Sequence, residues 1–155
     1  MVGERTTAGH RPVMTAEEIT VFLDREFPQL LEGGRAYTIG AVGPGRAEMR
    51  LVAGERHLRP GDTVSGPTLM ALADLAAYAA ILAHIGPVAL AVTTNLTINF
   101  LRRPPPGALV AEARLLKLGR RLAVVDVAIT PAEGGDVVAH AVTTYSIPPE
   151  RTEVI

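Results

Sequence analysis

The stretch from Thr68 to Ala83 is apolar at nearly every position and carries one charged side chain, Asp74. Ser65-Gly66-Pro67 ahead of it reads as a helix start, and Gly86-Pro87 behind it as a stop. A helix apolar on every side is a buried one, so the pattern predicts one central helix. Tyr37–Val42 and Arg46–Val52 read as a hairpin around Gly43-Pro44-Gly45, and Arg59-Pro60-Gly61-Asp62 as a turn leading into the helix. After the helix, Val88–Leu101, Ala108–Lys117, Leu122–Ile129 and Val137–Ile147 read as four strands. They are punctuated by Pro104-Pro105-Pro106-Gly107, Gly119 and Glu133-Gly134-Gly135-Asp136, which predicts a four-stranded antiparallel meander. In the first of them Leu90, Val92, Leu96, Ile98 and Phe100 share one face, expected against the helix, with Thr97 and Asn99 opposite. Near the start of the chain, Thr15-Ala16-Glu17-Glu18 matches a capping box, and the short helix after it should bury Ile19, Phe22 and Leu23 and end before Pro28. The sum is an α+β fold in which about six antiparallel strands wrap one apolar helix. Residues 1–14 are expected to form a flexible arm and residues 15–155 a single domain.

Composition narrows the function classes. At 155 residues, 48% apolar and 20% charged, the chain suits one globular domain. A net charge of −1 supplies no general field for nucleic acid or anionic lipid, and neither is expected as a partner. The absence of cysteine excludes disulfides, thiolate metal sites and a cysteine nucleophile, and fits a reducing compartment. The first residues lack the apolar core of a signal peptide, and the Leu69–Ala83 run is short for a membrane span and holds Asp74, so a soluble cytoplasmic protein is expected. His10, His57, His84 and His140 lack metal-ligand spacing, and no metal or cofactor is expected. Ser65 lacks the nucleophile elbow of the α/β hydrolases.

Asp74 is the residue that asks for a chemical explanation. A carboxylate in an apolar helix loses hydration at a cost of several kcal/mol unless something compensates it, and such groups concentrate at functional sites. The alternatives are a narrow solvent-facing stripe or an ion pair with an arginine from elsewhere.

Three blocks, in order, resemble a known family. Gly66 opens a helix with Asp74 eight residues on. Asn95 to Pro104 is a strand ending in Phe100, Arg102 and Arg103. Lys117-Leu118-Gly119-Arg120-Arg121 is a basic turn followed by a β-branched strand. From about Arg35 to Ile147 the chain is similar to the small hot-dog-fold thioesterases of the phenylacetate-degradation type. It departs from them in having Ser65-Gly66-Pro67 where the family usually has His-Gly-Gly, and Arg59 where an asparagine or glutamine is frequent.

The resemblance implies hydrolysis of an acyl-coenzyme A thioester without a cofactor. Asp74 would activate a water or attack the carbonyl directly, and the Gly66 amide would polarise that carbonyl at the positive end of the helix dipole. A hydroxyl that holds the water aligns with Thr93, with Thr94 and Asn95 as neighbours. Simple alternation puts Thr94 nearer the helix unless a bulge shifts the register. Arg102, Arg103, Lys117, Arg120 and Arg121 would meet the coenzyme phosphates or form a solvated rim. Ser65 would lie beside the substrate, and Tyr78 would line the acyl pocket or belong to the core. Gly66 and Asp74 lie about 12 Å apart along one helix, so the resemblance also implies a dimer or tetramer with a site shared between subunits. The alternative functions are a thioester-binding module that does not cleave, and a hot-dog hydratase. Against the hydratase, Ser65 stands where a histidine partner would be.

Overall fold

A computed structural model describes residues 10–149. Helix α1 spans Ala16–Glu26 and starts as its sequence dictates. The Thr15 N–H donates to Glu18 Oε1 and the Glu18 N–H to Thr15 Oγ1, both at 3.1 Å. Ile19, Phe22 and Leu23 are its buried face, and the helix gives way to a 3-10 turn at Pro28–Leu31. The expectation of a loose arm is corrected for residues 10–14: the Val13 and Met14 amides donate to the Ala83 carbonyl at 2.6 and 3.2 Å, and Met14 is buried. The end of a long helix leaves carbonyls without intrahelical donors, and this segment supplies them. Residues 1–9 lie outside the described residues.

Helix α2, Gly66–Ile85, is the centre of the molecule, with nearly all of its residues from Leu72 to His84 buried. It ends at Gly86, whose φ of 92° suits only glycine. At 20 residues, with a mean hydropathy of 1.7 over its most apolar 18, it is long and apolar enough to cross a membrane, contrary to the expectation from its sequence. About 67% of that window is buried within the fold, which accounts for the composition.

Six strands wrap this helix: β1 Tyr37–Gly43, β2 Arg46–Val52, β5 Val92–Phe100, β6 Ala108–Leu118, β7 Leu122–Pro131 and β8 Ala139–Ser146. Two short strands, β3 Leu58–Arg59 and β4 Thr63–Val64, pair separately around the turn before α2. The sheet order is β1-β2-β6-β7-β8-β5, with every pairing antiparallel. This is the hot-dog fold. The inner face is rich in alanine (Ala47, Ala111, Ala113, Ala123, Ala139 and Ala141 are all buried), which lets helix and sheet approach closely.

The four-strand meander is corrected to three. β6, β7 and β8 follow one another, but β5 lies beyond β8 at the sheet edge, and β2 takes the place beside β6. The reason is chemical. Three consecutive prolines have no N–H to close a hairpin and favour an extended chain. Residues 101–107 then reach roughly 20 Å, enough to cross three strand spacings of about 4.8 Å. The predicted strand start at Val88 is too early: residues 89–90 form a turn and the strand begins at Val92.

His84 ties the far end of α2 to the β1–β2 hairpin. The Gly45 N–H donates to its Nε2 at 2.8 Å, so the proton sits on Nδ1, which meets the Ala80 carbonyl at 2.7 Å. Burial, with the nearby His10, pushes its pKa below the usual histidine value, partly offset by the bond to Ala80. His57 is lowered as well, by burial first and then by Arg56. Folded-state values below the unfolded 6.5 mean that the unfolded chain binds protons first as pH falls. The stabilisation from neutral His84 is complete above about pH 6.5 and is lost as pH drops through the folded value. Thermal melts should show stability declining from pH 7.5 to 5.5, with a shallower decline in His84→Gln. An unchanged slope in the variant would remove His84 from this account.

Candidate active site

The start of α2 is built by Ser65. Its Oγ accepts from the Thr68 N–H at 3.3 Å and bonds Thr68 Oγ1 at 2.9 Å, so the hydroxyl expected beside a substrate serves as the helix cap. Pro67 fills an early helical position that needs no donor. Gly66 is the first helical residue, and among the described residues no acceptor meets its N–H. The Phe100 ring lies over this point: a Cβ on Gly66 would meet Phe100 Cζ at 3.4 Å. Gly66 opens onto a cleft of about 670 Å³ whose walls include Arg59, Phe100, Arg102 and Arg103. Arg102 pairs with Asp136 at 3.5 Å, while Arg59 and Arg103 have no ion-pair partner among the described residues. Arg59 was visible in the sequence only as a departure from the family pattern, and the fold makes it a wall of this cleft.

Two turns further along α2, Asp74 is half-buried and not alone. Its Oδ1 accepts from Thr93 Oγ1 at 2.5 Å and from Tyr145 Oη at 2.7 Å. The expectation of a desolvated acid without partners is therefore corrected: two hydroxyls replace the lost water. Thr93 reaches it through a bulge. In the β5–β8 ladder Thr93 faces Tyr145 and Asn95 faces Thr144, leaving Thr94 as the extra residue. The Thr94 hydroxyl turns back to the Thr144 carbonyl at 3.2 Å.

That one-residue shift reassigns the faces of β5. Thr93, Leu96, Ile98 and Phe100 lie opposite the inward residues Tyr145, Thr143, Ala141 and Ala139. Val92 is turned outward and Leu90 falls in the preceding turn, while Leu96 and Ile98 keep the inner face but are only half-buried, so the expected burial of this face is corrected. Phe100 keeps its inner face but is 52% exposed, because an edge strand covers α2 incompletely. Thr97 and Asn99 lie on the outer face as expected. Asn95 is there too, exposed, its Oδ1 accepting from Thr97 Oγ1 at 3.4 Å.

Tyr145 escaped the sequence reading. The signal available was the alternation of Ala139, Ala141, Thr143 and Tyr145 along β8, which puts a hydroxyl indoors where it must find a partner. It is 2% exposed and its ring stacks on Tyr78, with centroids 6.1 Å apart. Tyr78 donates to the Ala89 carbonyl at 2.9 Å and is core, so the pocket-lining alternative is dropped. Burial pushes the pKa of both tyrosines up.

The five cations do not form one rim within the chain. Arg102 and Arg103 follow β5 at the Gly66 end. Lys117, Arg120 and Arg121 flank the β6–β7 hairpin, which the pairings Leu122–Ser146 and Val92–Ser146 place level with the start of β5, the Asp74 end. About eight strand steps, roughly 26 Å, separate the two groups. Asp74 does not line the cleft at Gly66, as expected for groups about 12 Å apart on one rigid helix.

Residues 61–138 match the thioesterase superfamily. A solved structure of a candidate thioesterase from Silicibacter sp. TM1040 is 47% identical, covers 91% of this chain and 96% of its own, and superposes with a TM-score of 0.82. A candidate thioesterase from Ralstonia eutropha JMP134, described as phenylacetic acid degradation-related, is 28% identical over 81% of this chain and 98% of its own, with a TM-score of 0.70. A candidate esterase of Thermoplasma acidophilum is 25% identical over 111 residues, 72% of this chain and 83% of its own.

Proposed function

Because the chain belongs to the thioesterase superfamily, we propose that it hydrolyses acyl-coenzyme A thioesters, with Asp74 of one subunit and Gly66 of another acting on one substrate. The observation that carries this reading is the Asp74 carboxylate, held by Thr93 and Tyr145 through Oδ1 with no hydrogen bond to Oδ2 among the described residues. Oδ2 takes a proton from a water whose oxygen bonds to the thioester carbonyl carbon. The Thr93 hydroxyl, donating to Asp74, keeps lone pairs with which to accept that water. The negative charge that develops on the carbonyl oxygen is met by the free Gly66 N–H at the positive end of α2. Collapse breaks the carbon–sulfur bond, and the thiolate leaves with the proton that Asp74 had taken.

The second subunit follows from β5. Among the described residues this strand pairs only with β8, and its other edge is open. Two copies pairing β5 antiparallel about a two-fold axis would close both open edges. Phe100, which overlies Gly66, would then lie across from the partner's Thr93, which holds its Asp74. The same operation sets Arg102 and Arg103 beside the partner's Lys117, Arg120 and Arg121, a cationic ring suited to the coenzyme phosphates.

The test is thiol release over a panel of acyl-CoAs that includes short, medium, long and phenylacetyl chains, each paired with the same acyl group on a truncated thiol. Turnover with a raised KM for the truncated partners is expected. No turnover with any member overturns hydrolysis and favours a thioester-binding module; equal KM values remove the arginines from coenzyme recognition.

A further inference from the structure

We propose that Tyr145 is a positioning residue for Asp74: its hydroxyl fixes Oδ1 and leaves Oδ2 as the oxygen that does the chemistry. The inference rests on the hydrolytic reading above and deepens it. A carboxylate oxygen has two lone pairs, and on Oδ1 both are taken, one by Thr93 and one by Tyr145. The donors come from different strands, β5 and β8, so together they set the plane of the carboxylate and not merely its distance.

The two donors are not equivalent. Thr93 sits exposed on a bulge of an edge strand, where substrate and solvent reach it. Tyr145 is buried, and its ring lies nearly parallel to that of Tyr78, at an interplanar angle of 13°. Tyr78 is itself pinned to the Ala89 carbonyl, so the support runs from that backbone through two rings to the carboxylate. The Tyr145 hydroxyl also lies 3.0 Å from the Asp74 backbone oxygen, so its single proton is shared unequally between the shorter contact to Oδ1 and that carbonyl. The titratable groups facing this point are Asp74 and Tyr78 from α2, with Glu26 of α1 acting on Tyr78. Burial, and then the charge of Asp74, hold the Tyr145 hydroxyl far above the usual tyrosine range. It therefore remains a donor at every working pH and takes no part as an acid.

Tyr145→Phe keeps the ring and the stack while removing the donor. The expected result is a fall in kcat of about tenfold, the scale of one hydrogen bond to a charged group, with KM within about twofold. In an Asp74→Asn background the same change should cost less than about twofold, since no carboxylate remains to be placed. Equal losses in both backgrounds, or a loss carried by KM instead of kcat, overturn the proposal. A readout independent of turnover is the Tyr145 hydroxyl proton in a ¹H NMR spectrum of the unliganded protein: in slow exchange, absent from Tyr145→Phe and displaced in Asp74→Asn. If the wild type cleaves no thioester, the hydrolytic reading fails, and this signal still decides the anchor. Its absence from the wild type, or its indifference to Asp74→Asn, overturns the proposal.

Discussion

Asp74→Asn is expected to lower turnover by about 100-fold or more and to leave the fold intact. The magnitude is that of losing a positioned general base. The fold survives because asparagine keeps a carbonyl oxygen where Oδ1 stands, still able to accept from Thr93 Oγ1 and Tyr145 Oη. What it cannot do is take a proton from water at the second position, where an NH₂ replaces Oδ2. The measurement is kcat/KM for thiol release, on protein whose melting temperature and circular dichroism match the wild type. Near-normal turnover would remove Asp74 from the mechanism.

Mixing two inactive variants restores activity if the site is shared. Gly66→Pro deletes the free N–H at the helix start with little cost elsewhere. Proline suits that helical position, and Ser65 already has the extended ψ of 154° that a residue before proline prefers. Alone, Gly66→Pro should reduce turnover by about 100-fold, the scale of removing one oxyanion donor. After unfolding and refolding together with Asp74→Asn, half the dimers are mixed. Each mixed dimer holds one site with both groups intact and one with neither, so about a quarter of wild-type activity should return. A site contained within one chain would recover nothing, and that outcome sinks the shared arrangement.

The fold was legible because its strongest signals were local. The apolar run around Asp74 and the glycine–proline pairs that bound it specify one buried helix, and the Thr15–Glu18 box formed as read. What failed depended on partners distant in sequence. Nothing in Val92–Phe100 states that it pairs with β8 instead of β6; the three prolines after it carried that information, through the span an extended chain can cross. The bulge at Thr94 was invisible to a period-two reading, and it decides that Thr93, not Thr94, meets Asp74. Tyr145 lies 71 residues from the carboxylate it holds, and only the closed sheet joins them. Asp74 and Gly66 were legible for the opposite reason, since each breaks a local pattern.

The even greasiness of α2 also sets the order of events at the ribosome. The helix is made before β5, β6, β7 and β8, yet β6 and β7 supply much of the sheet against which it packs. Until Ser146 has been added, 61 residues after Ile85, the sheet that wraps this helix is incomplete. At a typical synthesis rate that interval is about 3 to 12 s. At the start of that interval a nascent segment apolar enough for a lipid bilayer has α1, β1 and β2 to cover it, and not yet the strands that follow. Provisional collapse onto α1 and the first hairpin would shield it until the later strands arrive. Slowing translation downstream of residue 85 should lower the soluble yield without altering the finished protein.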